Sequence, residues 1–82
     1  MTNQQYIQNI RHLIAKDDIT SAIAWLKELL EHTPLLNEVL QQSGRFENIL
    51  KQIRLGMVNP AEATLTLNQI RAALLDLLSE IE

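Results

Sequence analysis

Apolar residues recur along this chain at spacings of three and four in four stretches, and that period belongs to amphipathic α-helices. In the first stretch Tyr6, Ile7, Ile10, Leu13 and Ile14 share one face. Thr2 followed by Gln5 three positions later forms a capping-box pattern, which predicts a helix over residues 3–16. The Asp17-Asp18 pair interrupts it, and Asp18 is a good N-cap for a second helix over residues 19–32. The buried stripe there is Ala22, Ile23, Leu26, Leu29 and Leu30, with Lys27, Glu28 and Glu31 on the wet side. Thr33-Pro34 is a cap followed by a proline and predicts a third helix over residues 34–55. Its stripe is Leu36, Val39, Leu40, Ser43, Phe46, Leu50 and Ile53, with Ile49 flanking it. Gly44 weakens this helix by about 1 kcal/mol relative to Ala, so a bend or break there is one expectation.

Arg54-Leu55-Gly56 reads as a helix end, because Gly56 can take the left-handed conformation that closes a C-terminus. Asn59-Pro60-Ala61-Glu62 then restarts the chain: Asn59 caps, Pro60 presets the first helical φ and Glu62 can reach back to Asn59. The fourth helix, residues 60–81, carries Ala63, Leu67, Ile70, Leu74, Leu77 and Ile81 along one face. Leu65, Ala72 and Leu75 fall off that face. The helix also ends acidic, at Asp76, Glu80 and Glu82, against the helix dipole, which suggests fraying or continuation into a further domain. Short connections between consecutive amphipathic helices imply an all-α fold, a compact antiparallel bundle of four main helices in a single domain.

The run from Gln52 to Leu77 also carries a family likeness. With Phe46 upstream, the segments Gln52-Ile53-Arg54-Leu55-Gly56-Met57-Val58, Pro60-Ala61-Glu62-Ala63 and Leu67-Asn68-Gln69-Ile70-Arg71-Ala72-Ala73-Leu74-Leu75-Asp76-Leu77 resemble an effector-associated domain of bacterial conflict systems, type eleven. The likeness covers roughly Leu13 to Ile81, and its specificity rests on the Arg54-Leu55-Gly56 turn and the Asn68-Gln69-Ile70-Arg71 segment. The resemblance implies death-like packing and a non-enzymatic adaptor, fused to or paired with effectors and signalling NTPases. It also implies partners recruited by homotypic contact. Matched onto the family's segment, Asn68 and Arg71 would tie the fourth helix to the carbonyl end of the third.

Composition narrows the function further. A chain of 82 residues and 9.4 kDa can hold one small core and is an improbable frame for a multi-step enzyme. The absence of cysteine excludes disulfides and thiol chemistry and fits a reducing compartment. The polar start lacks a signal peptide's features and no apolar run reaches the length of a membrane span, so a soluble cytoplasmic protein without membrane contact is expected. A formal net charge of −3 argues against a general nucleic-acid partner. His12 and His32 are the only histidines, and neither a zinc-ligand spacing, a nucleophile–base pattern nor a phosphate-binding glycine loop is present. No cofactor, no metal and no catalysis are expected.

What remains is surface. Arg45, Lys51, Arg54 and Arg71 lie in the second half of the chain, while Asp17, Asp18, Glu28, Glu31 and Glu38 gather in the first. Patches of opposite sign can pair head to tail between copies, building a homo-oligomer or joining a similar domain. The plainer reading is of solvated faces with local helix pairs such as Glu47–Lys51. Trp25 is either core-edge packing or an interface anchor. Two further functions stand beside the adaptor: a structural domain that dimerises through an apolar face, and a regulatory module that holds an unrelated peptide or helix in a groove.

Overall fold

The computed structural model describes residues 2–82, which form four α-helices in sequence: α1 (Asn3–Ala15), α2 (Ile19–Leu29), α3 (Leu36–Arg54) and α4 (Pro60–Ile81). Among the described residues there is no strand, and the all-α class follows as the apolar periodicity predicts. Capping fixes three of the four starts. Thr2 Oγ1 accepts from Gln5 N at 3.2 Å while Thr2 N donates to Gln5 Oε1 at 2.9 Å, Asp18 accepts from Ser21 N, and Asn59 accepts from Glu62 N at 2.8 Å.

The α2–α3 connection differs from its sequence reading. Helix α2 stops at Leu29 rather than His32, and α3 starts at Leu36 rather than Pro34. Thr33 does not cap α3; its hydroxyl donates to the carbonyl of Leu30, an orphan acceptor at the end of α2. The N-cap of α3 is Leu35, with no side-chain bond, and the chain enters the helix through i→i+3 bonds such as Leu36 N to Thr33 O. Helix α3 then runs unbroken through Gly44.

Two helix ends share one closing device. After α1, Asp18 N donates to Leu13 O at 2.8 Å and Asp17 N to Ile14 O at 3.0 Å; after α3, Met57 N donates to Gln52 O at 2.8 Å and Gly56 N to Ile53 O at 3.1 Å. Both are the 6→1 and 5→2 bonds of a Schellman motif, which needs a left-handed residue between them. Gly56 supplies it at φ 67°; at the other end Asp17 adopts it at φ 64°, one of the few non-glycine types that tolerate it.

The core is built from Ile7, Ile10 and Ile14 of α1, Ile19, Ala22, Ile23 and Leu26 of α2 with Leu30 just beyond it, Val39, Phe46 and Ile49 of α3, and Ala63, Ile70, Leu74, Leu77 and Leu78 of α4. No buried side-chain polar atom among the described residues lacks a partner. The helices pack chiefly against their sequence neighbours, and α1 touches α4 only lightly.

Helix lengths then decide the shape. Helices α1 and α2 have 13 and 11 residues, α3 and α4 have 19 and 22. At 1.5 Å per residue, that is about 20 and 16 Å against about 28 and 33 Å. The two hairpins are flush at one end, where Asn3, the Leu30–Leu35 segment and Ile81 line a common groove. At the other end, the α1–α2 turn reaches only the level of Arg71, since Asp17 meets that side chain, and Arg45 faces Gln69 across α3–α4. With the opposite ends flush, α3 and α4 outreach α2 and α1 by about 12–13 Å, so the α3–α4 hairpin projects about 12 Å beyond the α1–α2 turn. The molecule is accordingly long, 41 × 23 × 17 Å.

Candidate interaction surface

The projecting hairpin explains a departure from the sequence pattern. Leu50 and Ile53 carry on the stripe of Val39 and Phe46, yet they are 37% and 43% exposed. They point where α1 and α2 would pack if those helices were longer. Phe46 is the last residue of the stripe with α2 beside it, in a groove shared with Thr20 and Ile23. Leu55 and Met57, at the tip, are 56% and 71% exposed. On the opposite side of the same end, Leu65 is exposed; Leu40 and Leu75, lower down, are too. The expectation that Leu40, Leu50 and Ile53 join a buried face is thus corrected: the period was right, but the covering helices are too short or turned aside. Leu65, Ala72 and Leu75 are exposed, as their position off the stripe suggests.

The charged residues divide into those already engaged and those left open. Arg71 Nη2 donates to Asp17 Oδ1, and Arg71 Nη1 donates to Asn68 Oδ1. This pair binds α4 to the α1–α2 turn, not to the carbonyl end of α3 as the resemblance implies. It also places a basic residue of the second half against an acidic residue of the first within one chain, where the sequence suggested contacts between chains. Arg45 donates to Gln42 and Gln69. Glu28 accepts from the Tyr6 hydroxyl at 3.2 Å, and the Tyr6 and Trp25 rings meet edge to face, 5.2 Å between centroids and 61° between planes. Trp25 is half-buried against the core. The carboxylate of Glu28, through its charge and then the hydrogen bond, pushes the Tyr6 phenol above its ordinary value. Arg11 pairs with Glu82, which secures the acidic end of α4 to α1.

Lys51 and Arg54 are different. Both are exposed on the projecting hairpin, Lys51 midway along it and Arg54 near its tip, and form no hydrogen bond or ion pair among the described residues. Lys51 lines a shallow groove of about 300 Å³ with Asn48, Gln52, Leu55 and Met57. Asp18, half-buried, uses Oδ1 to cap α2. Of the eight residues proposed from sequence, Lys51 and Arg54 lie together on the open end, Asp17, Asp18 and Arg71 adjoin at its base, Arg45 lies beside α4, and Glu28 with Trp25 faces Tyr6 on another side. The apolar partners of Lys51 and Arg54 escaped sequence reasoning; unequal helix lengths were the signal that pointed to them.

Among the described residues no group of three His, Asp or Glu side chains could hold a metal ion, and no helix is long and apolar enough to cross a membrane. Neither a curated protein nor a solved structure matches the chain. The family model described as effector-associated domain 11 matches residues 5–82.

Proposed function

The chain belongs to the effector-associated domain 11 family, and on that premise we propose that it is a non-enzymatic adaptor that couples an effector or NTPase to a partner bearing a similar domain. The observation that carries this reading is the open end of the α3–α4 hairpin, where Leu50, Ile53, Leu55 and Met57 are all exposed within eight residues, beside two unengaged cations. An exposed cluster of large apolar side chains rimmed by charge suits a protein partner better than a small solute.

The two kinds of group contribute differently. Covering a Leu or Ile already half in contact with the protein adds on the order of 1 kcal/mol, so several together set affinity. An exposed ion pair contributes about 0–1 kcal/mol and weakens with salt. Lys51 and Arg54 therefore steer approach and fix orientation, while the apolar side chains hold the complex. A dimer held mainly by its apolar face, the structural alternative, draws on the same exposed residues.

Light scattering behind size exclusion, from micromolar to near-millimolar protein at low and high salt, tests the reading. Mass that rises with concentration, or a complex with another domain of the family, supports it. A chain that stays monomeric and ignores every other family domain overturns it.

A further inference from the structure

We infer that the projecting half of the α3–α4 hairpin is a self-complementary docking face whose occupant is the same element of a second copy, arranged about a two-fold axis. This rests on the like-with-like reading above and assigns the contact. An overhang of about 12 Å leaves above the α1–α2 turn a notch of its own length. Two copies placed antiparallel fill each other's notch, and α3–α4 of one completes a four-helix bundle with α3–α4 of the other.

The chemistry agrees at both ends of that arrangement. Along the middle, Leu50, Ile53 and the half-buried Leu67 of one copy meet the same three of the other, apolar on apolar. At the ends, the antiparallel sense carries the unengaged Arg54, near one tip, to the base of the other copy's notch. That base is the Asp17-Asp18 turn, where Asp17 is already shared with Arg71 and Asp18 retains a carboxylate oxygen beyond its cap. Parallel stacking would instead set Arg54 of one copy against Arg54 of the other, cation on cation. Such an isologous contact closes on itself, so assembly stops at two chains rather than growing into a filament.

The chain has no cysteine, so single cysteines report geometry cleanly. Leu50, halfway along the overhang, lies close to the axis. With diamide added as the thiol oxidant, which is reduced to its hydrazine as the disulfide forms, Leu50→Cys is expected to give a disulfide-linked dimer, while Leu40→Cys, exposed but lower on α3, is expected not to. Independently, Leu50→Glu with Ile53→Glu should return a particle of about 18.8 kDa, twice the 9.4 kDa chain, to one chain, with helicity by circular dichroism unchanged because both positions are already exposed. Leu65→Glu, on the far side of α4, should leave the dimer intact. Association that survives Leu50→Glu with Ile53→Glu, or equal cross-linking from Leu40→Cys, overturns the assigned face while leaving the adaptor reading standing. A wild-type chain that is monomeric at near-millimolar concentration overturns the inference, and if it then binds a different family domain the adaptor reading alone survives.

Discussion

The chain's two glycines allow one substitution to be read twice with opposite signs. Gly44 is interior to the continuous helix α3, and Gly56 closes that helix at φ 67°; a methyl built at either meets nothing within 4 Å. Packing therefore drops out, and backbone conformation decides. At Gly44, alanine gains the helix-propensity difference of about 1 kcal/mol. At Gly56, alanine must hold a left-handed conformation that disfavours it by roughly 1–2 kcal/mol, partly offset by the smaller freedom of its unfolded chain, for a net loss of about 1 kcal/mol. In a domain of this size 1 kcal/mol moves Tm by roughly 4–8 °C, so Gly44→Ala should melt roughly 8–16 °C above Gly56→Ala, with the wild type between them. Thermal and urea unfolding followed by circular dichroism would measure this, at one fixed protein concentration so that association does not distort the comparison. The sites are twelve residues apart, one inside α3 and one just past its end, so the double variant should return to near the wild-type value. A destabilised Gly44→Ala would refute the reasoning, since it would mean that α3 needs glycine there for a bend.

Four further outcomes follow from the same structure. Leu74→Ala removes a fully buried side chain of α4 and should lower stability by about 2–5 kcal/mol, enough in a domain this small to leave much of it unfolded, as urea titration would show. Asp17→Asn keeps a residue tolerant of positive φ but removes the ion pair to Arg71, so its loss should stay below about 1 kcal/mol and shrink with added salt. The Tyr6 phenol is raised beside Glu28, so the native state holds its proton longer than the unfolded state does. Its contribution is full below about pH 10, the unfolded value, and is lost as pH rises through the native value; Tyr6→Phe should flatten the stability curve in that alkaline window. Lys51→Glu with Arg54→Glu should weaken association most at low salt while helicity is unchanged, and equal binding at every ionic strength would remove steering from the mechanism.

The sequence was most legible where chemistry is local. Thr2, Asp18 and Asn59 announce their helix starts because capping needs only a side-chain oxygen and a free N–H one turn away, and Gly56 marks its Schellman end for the same reason. Thr33 misled because its hydroxyl has two orphan groups within reach and spends itself on the α2 end. Asp17 gave no sign of closing α1 as a glycine would, since left-handed φ is uncommon for its type and is fixed here by the bonds on either side. The stripe of α3 marks which residues share a face but not how far the neighbouring helices extend, so Leu50 and Ile53 read as core. Likewise Arg71 and Asp17, fifty-four residues apart, looked like opposite patches until the fold made them neighbours. Charge partition along a sequence is not charge partition in space.

The unequal hairpins also grade the molecule's resistance to opening. Below the α1–α2 turn, α3 and α4 are backed by two other helices and enclose most of the fully buried side chains, Ile10, Leu26, Val39, Leu74 and Leu78 among them. Above it, each long helix has only the other, with Ile49 and Ala63 the buried residues between them. Amide hydrogens from about residue 50 to 66 should therefore exchange through a local opening, well before those of the lower half, which await global unfolding. A partner clasping that end would be read as slowed exchange there. The same end is then both the first part to melt and the part whose ordering reports that the domain has been engaged.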